Sequence, residues 1–545
     1  MGEIFCCHAG IMSTYIKKKQ RKMKMIMRLR RIVTTILCLG FVFGTVSCCI
    51  NNIEEKNEIR DEKQESNAEV TVRTPKYVFL FIGDGMSYPQ FQLAADYLGA
   101  MADGDYMDSL PSISYEKRKG KLEGPVALNF MNFDEAGTAV TFDSSSFAPD
   151  SAAAGTAIAS GKKTYSSAIN MDETCTVKYE SIAEKIHSQL GWKVGIVSSA
   201  NINHATPAAF YAHQPTRNNY YEIGEELLVS GFEYFAGGGF RDVYGAEGDK
   251  RGLYEQVEEA GYTLVMTQDE AKKVSADSGK VVLITEQLAD TNAMKYEIDR
   301  EKDEWALADY VEKGIEVLDN ETGLFLMCEG GKIDWACHAN DAGTIIHDVL
   351  ALEDAVQVAV EFAKEHPEET LILVMGDHET GGLSIGYAET KYDTYLSNFS
   401  SQKISFQKYT DEYVSKYIEE GTSFETAMKD VKKLFGLKTS GRKGDKLVLT
   451  EYETEQLKNA YELSVHGYNS AAYTQEEYAL YATYDPFTVT INHILNHKSG
   501  VDFTSYTHTG LPVAVFAEGA GAEVFAGYYD NTEVFQKLAD LTGVK

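Results

Sequence analysis

Asp334 and His338 stand four residues apart, a spacing that sets a carboxylate and an imidazole on one face of a helix, where both can grip one divalent cation. Asp377 and His378 are adjacent, and Asp84 and His508 add a further carboxylate and a further imidazole. Taken singly, such pairs are most often surface or capping features. Six ligands of this kind in one chain, several placed just after apolar runs, suit a two-metal site instead. A second chemistry is suggested by Pro149-Asp150-Ser151-Ala152-Ala153-Ala154-Gly155-Thr156-Ala157. The small residues after Ser151 fit a closely packed helix start, whose free N–H groups and dipole would face a bound anion. Alone, Ser151 reads as a helix cap. Its interest lies in the company of the ligand-type residues.

These residues need elements to carry them. Tyr77 to Ile82 is a short apolar run ended by Gly83-Asp84-Gly85, which predicts a buried strand stopping at a functional loop. Similar runs occur at 193–197, 323–327, 370–375 and 511–516, and helical patterns lie at 179–190, 253–260, 305–318 and 342–366. Strands alternating with amphipathic helices predict a largely parallel α/β sandwich, whose ligands gather at the carboxyl ends of the strands. Asp84, Glu329 and Asp377 each follow a strand-like run within a few residues. The stretch from about 387 to 485 differs, being rich in Tyr, Lys and Glu, with helical patterns near 424–435 and 450–463. It reads as an insertion on the sandwich. No internal repeat is evident.

Composition narrows the class. A hydrophobic fraction of 44% with only 10 Pro in 545 residues supports a globular core. The net charge of −31 argues against nucleic acid or anionic membrane surfaces as partners. An anionic substrate would then need local positive charge, which metals and an arginine could supply. Of eight cysteines, five precede residue 50, so no disulfide framework is expected. The first 48 residues carry nine Lys/Arg against one acid, Glu3, and the uncharged run 32–46 is 15 residues long. That is shorter than the roughly 20 residues of a spanning helix, so 1–48 is expected to be a signal peptide. Ser47-Cys48-Cys49 resembles a bacterial lipoprotein cleavage box with Cys48 lipidated, although Thr45 stands where that box usually has Leu, and Cys49 is an alternative. Met23, Met25 and Met27 are alternative starts, and an uncleaved anchor helix is the competing reading. Residues 49–72 are expected to form a flexible acidic tether, and 73–545 the catalytic domain.

Motif order then points to a family. Phe81-Ile82-Gly83-Asp84-Gly85-Met86, Asp150-Ser151-Ala152-Ala153-Ala154-Gly155, His204-Ala205-Thr206-Pro207-Ala208-Ala209, Glu329-Gly330-Gly331-Lys332-Ile333-Asp334, Gly376-Asp377-His378-Glu379-Thr380-Gly381-Gly382 and His508-Thr509-Gly510 resemble the alkaline phosphatases, in that family's order. The resemblance covers roughly 75–385 and 485–545. It implies a three-layer αβα sandwich around a mixed, largely parallel sheet, and hydrolysis of phosphate monoesters through a phosphoserine on Ser151. It further implies one Zn2+ on Asp334, His338 and His508, a second on Asp84, Asp377 and His378, and a Mg2+-type third site from Asp84, Thr206 and Glu329. Arg217, 13 residues after His204, takes the position of the arginine that clamps phosphate, with Asp150 orienting it. Activity is expected to rise towards alkaline pH, since histidine ligands must be neutral. Export to the bacterial periplasm or cell envelope as a lipoprotein is expected, and a homodimer is one assembly the resemblance allows.

The chain departs from some members of the family, which have Asp in place of His204 and Lys in place of Trp335. The change removes a carboxylate and a cation, implies a weaker Mg2+ preference at the third site, and makes His204 either a ligand there or a packed histidine. Rival readings are a phosphodiesterase or sulfatase of the same superfamily, and a non-catalytic phosphate- or metal-binding surface protein. Sulfatases use a Cys/Ser-x-Pro-x-Arg motif, whereas Ser151 is followed by three alanines. Diesterases commonly use threonine and lack the arginine clamp.

Overall fold

Alternate side chains of the strand Tyr77–Gly83 (β1) enter two different cores. Tyr77, Phe79 and Phe81 join one apolar cluster, while Val78, Leu80 and Ile82 join another. A strand buried on both faces reads as a continuous apolar run rather than an alternating one, which is why this segment stands out in the sequence. The computed structural model describes residues 73–102, 122–442 and 444–545, which fall within one compact unit. The expected signal peptide and acidic tether lie outside the described residues. Among the described residues, no helix is long and apolar enough to cross a membrane, and Cys175, Cys328 and Cys337 are all unbridged.

The main sheet has ten strands. After β1 come Glu135–Val140 (β2), Lys193–Ser198 (β3), Tyr234–Gly237 (β4), Tyr262–Val265 (β5), Lys280–Ile284 (β6), Leu324–Gly330 (β7), Thr370–Gly376 (β8), Val513–Gly519 (β9) and Gly527–Asp530 (β10). Their spatial order is β10-β2-β9-β8-β1-β7-β3-β4-β6-β5. β1 lies between β8 and β7, parallel to both, with Gly83 level with Gly376 and Gly330. This register brings Glu329, near the end of β7, and the loops carrying Asp84 and Asp377 to one sheet edge. β9 alone runs antiparallel, against β8 and β2. Its amino-terminal approach therefore lies where the other strands have their carboxyl ends, and His508 reaches the same edge from the opposite chain direction.

The five strand-like runs of the sequence are all present, the last beginning at Val513 rather than Leu511. The other five strands, β2, β4, β5, β6 and β10, are short, and β2 is Glu-Ala-Gly-Thr-Ala-Val, which carries little apolar signal. Helices flank both faces, including Tyr88–Ala102 (α1), Ser151–Ser160 (α2), Ile182–Leu190 (α3), Leu307–Leu318 (α4), Lys332–His338 (α5) and Ala342–Glu365 (α6). The stretch 387–485 is mainly helical, with Phe424–Phe435 (α7) and Glu451–Val465 (α8), and leads into Pro486–Ser499 (α9). Its Tyr409, Phe435 and Leu457 are buried in the same cluster as Phe79 and Phe81. This region is thus continuous with one core of the sandwich rather than draped over it.

Candidate metal centre and active site

Helix α2 begins where the site needs an anion-facing terminus. Asp150 caps it by accepting from the Ala153 N–H, and Gly161 closes it in the left-handed conformation at φ 69°. Ser151 is the first helical residue, 1% exposed. Its hydroxyl lies 3.1 Å from His378 Nε2. Asp150 therefore is the cap, which leaves the Ser151 side chain free for chemistry. The cap's second oxygen accepts from Arg217 Nη1 at 3.0 Å, while Oδ1 also takes the Ser167 N–H. One carboxylate thus aligns both the helix and the guanidinium.

The metal ligands form overlapping groups. Asp84, Asp377 and His378 present ligand atoms within 4.8 Å of one another, as do Asp334, His378 and His508, and Asp84, His204 and Glu329. His338 completes the second group: its Nε2 is 3.3 Å from Asp334 Oδ2 and 3.2 Å from His508 Nε2. Thr206 Oγ1 faces Asp84 Oδ2 at 3.5 Å. These ligand-type side chains therefore lie close together, although they span positions 84 to 508.

The hydrogen-bond pattern tests whether dications fit. His338 Nδ1 and His508 Nδ1 each donate to a backbone carbonyl, of Tyr506 and Pro149 respectively, at 2.6 Å. This sets the tautomer and leaves two bare Nε2 lone pairs facing each other. His378 Nδ1 faces the Thr380 hydroxyl at 3.3 Å, and that hydroxyl donates to Asp334 at 2.6 Å. The His378 Nε2 lone pair thus points at Asp84 Oδ1 and Asp377 Oδ2, each 3.3 Å away. Asp84 Oδ1, Asp377 Oδ2 and Glu329 Oε1 are buried with no partner. Buried acceptors crowded against acceptors are costly unless cations sit between them. The donor set, carboxylate and imidazole, suits zinc-type ions.

Electrostatics agrees. Burial first, then the charges of Asp377, Asp334 and Glu329, pushes Asp84 well above the usual carboxylate range. Burial and Asp334 push Asp377 up to about 8, and burial lifts Glu329 to about 7. Burial lowers His378 and His204, helped by His508 and Arg217 respectively, so both imidazoles are held neutral. Arg217 Nη2 also donates to His204 Nε2 at 3.2 Å, so His204 touches both the clamp and the Asp84–Glu329 group. Residue-type reasoning passed over two supports. Thr380 couples His378 to Asp334, and the Ser198 hydroxyl donates to Glu329. Thr380 sits two residues beyond His378 within the same motif, a signal of position only; Ser198 ends β3 and has no local signal at all.

An αβα sandwich whose strand-end pocket gathers dication ligands around an anion-facing helix start is the architecture of a metal-dependent hydrolase. The family model described as alkaline phosphatase matches residues 75–544, and the chain belongs to that family of metal-dependent enzymes acting on phosphate monoesters. It is 30% identical to alkaline phosphatase 4 of Bacillus subtilis (strain 168), across 88% of this chain and 90% of that protein. Alkaline phosphatase 3 of the same organism is 31% identical, across 85% and 88%. Among solved structures, the cold-active alkaline phosphatase of a psychrophilic Shewanella sp. superposes with a TM-score of 0.66 at 25% identity, covering 86% of this chain and 99% of that one. Thermus thermophilus alkaline phosphatase, at 22% identity, shares the fold with a TM-score of 0.68 over 89% and 95%.

Proposed function

We propose that this alkaline phosphatase cleaves phosphate monoesters by way of a phosphoserine on Ser151. The observation that carries the reading is the set of unpartnered lone pairs converging beside the Ser151 hydroxyl, with Arg217 fixed across the same helix start. Two Zn2+, held by Asp334, His338 and His508 and by Asp84, Asp377 and His378, with a Mg2+-type ion at Asp84, Thr206 and Glu329, would supply positive charge, an acidified serine hydroxyl and stabilisation of attacking and leaving oxygens. Ser151 Oγ bonds to phosphorus as the ester P–O bond breaks, and the leaving oxygen takes a proton and departs as an alcohol. Water then attacks the phosphoserine, restoring the hydroxyl and releasing inorganic phosphate. Arg217 donates to the equatorial phosphoryl oxygens, and Asp150 holds it there.

Ser151→Ala should lower monoesterase turnover by at least about a thousandfold while leaving metal content unchanged. Persistent turnover, or faster hydrolysis of a diester or sulfate ester by the wild type, would overturn the reading. His204 supports a third site of altered preference. His204→Asp is expected to raise Mg2+ occupancy and the Mg2+ dependence of the rate, and unchanged occupancy would assign His204 to orienting Arg217 alone. Export, lipidation at Cys48 and a periplasmic or envelope location complete the proposal. Labelling of the cysteine by a lipid precursor in bacterial cells tests them.

A further inference from the structure

A second hollow, about 230 Å3 in volume, opens beside His338. Trp335, Tyr296 and Arg241 line it together with Phe406, Gln407 and Tyr484 from the helical region. The rings of Tyr296 and Tyr484 both meet Phe406 edge-on at 5.6 Å, so the wall is an aromatic corner held in place by its own packing. Tyr296 is 2% exposed, yet its hydroxyl has no partner. A buried phenol normally finds one, which marks this hydroxyl as a donor in waiting.

Charge distinguishes what the hollow would accept. Asp290 is neutralised by Lys332 at 3.0 Å, and Lys332 Nζ lies 3.8 Å and 4.3 Å from the Tyr296 and Trp335 ring centroids. Arg241 stacks over Tyr220 at 4.5 Å, and among the described residues no carboxylate pairs with it, unlike Arg73, Arg217, Arg251 and Arg300. A quaternary ammonium would meet the unpaired Arg241 guanidinium here. A plain aliphatic alcohol would leave the aromatic lining, the guanidinium and the Tyr296 hydroxyl without a matching partner. A planar ring bearing hydrogen-bond acceptors uses all of them.

Building on the monoesterase reading, we propose that this hollow is the leaving-group site and that it selects phosphate monoesters whose alcohol carries a planar heteroaromatic ring, nucleoside 5′-monophosphates being the common chemical class. Phe406, Gln407 and Tyr484 of the lining come from the helical region, so that region sets specificity rather than catalysis.

The test compares kcat/KM for adenosine 5′-monophosphate and ribose 5-phosphate on the full chain. Both lose phosphate from the same type of primary alcohol, so they differ chiefly in the ring. The nucleotide should be preferred about tenfold or more. Tyr484→Ala and Trp335→Ala should bring the ratio towards one, mainly by raising KM for the nucleotide, and Tyr296→Phe should reduce it a few-fold. Equal wild-type values overturn the assignment, as do variants that slow both esters alike and leave the ratio unchanged. A preference for ribose 1,5-bisphosphate that Arg241→Ala abolishes would also overturn it, by giving Arg241 to a second anion. In each of those cases the loss of both activities in Ser151→Ala would still uphold the catalytic reading, so the two proposals fail separately.

Discussion

Asp341 is 1% exposed and accepts from the Thr344 N–H and hydroxyl, Gln402 Nε2 and the Phe406 N–H, at 2.7 to 3.0 Å. Asp84 and Asp377 are fully buried, and each keeps one oxygen with no donor at all. The same side chain is thus used in two ways within one molecule. At Asp341 the fold brings its own donors, and the carboxylate ties residues 402–406 of the helical region to the start of α6. At the strand ends the fold withholds donors and leaves lone pairs for something that is not protein. The contrast shows how a buried acid can be read: its hydrogen-bond satisfaction, more than its burial, separates a structural role from a ligand role.

Removing metals should break the comparison most sharply. Chelation is expected to abolish turnover, by at least about a thousandfold, and to lower Tm, since the strand-end carboxylates keep only Arg217 as a nearby counter-charge. Retained activity in metal-free protein would contradict the ligand role. Next, Asp341→Ala should destabilise the fold by about 3 kcal/mol, because several buried donors lose their acceptor. Denaturant unfolding of the variant would show it, and a change below about 1 kcal/mol would mean that water replaces the carboxylate.

His213 offers an intermediate case, a charge that the fold does satisfy. Burial lowers its affinity for a proton, but Glu184 and Glu226, 3.4 and 3.7 Å away, outweigh this and raise it to about 9. Because the folded value exceeds the unfolded value of about 6.5, the stabilisation is complete below about pH 6.5 and fades as pH rises through about 9. His213→Gln should therefore cost ~2 kcal/mol at pH 6 and little at pH 10, measurable as a convergence of the two Tm curves. The smallest effect is expected from Asp84→Asn in chelated protein near pH 8. Removing one of several crowded acids should change stability by less than about 1 kcal/mol, or raise it, where the same exchange at a donor-saturated acid would destabilise. Clear destabilisation by Asp84→Asn would remove the distinction drawn between the two kinds of site.

Much of this was legible in the chain itself. Apolar runs such as Tyr77–Ile82 mark strands buried on both faces, and Asp84, Glu329 and Asp377 follow such runs closely enough to be placed at one sheet edge. The i, i+4 spacing of Asp334 and His338 is realised on α5, and the small residues after Ser151 do pack as a helix start. Other features had no local signature. Strand β2 is too poor in apolar residues to declare itself, the antiparallel course of β9 depends on pairing with β8 and β2, and the partition of 387–485 into the core follows from contacts with distant helices. The wall built by Phe406 and Tyr484 against Trp335 joins residues far apart in the chain.

Sequence by itself determined the chemical types and the elements that carry them, because period, capping and ligand identity are properties of neighbouring residues. Only the folded chain decided which lone pairs would be left without donors, that Asp150 rather than Ser151 would cap α2, and which aromatic rings would border His338. Those outcomes depend on approach distances between segments hundreds of residues apart, and nothing short of the packed tertiary structure sets them.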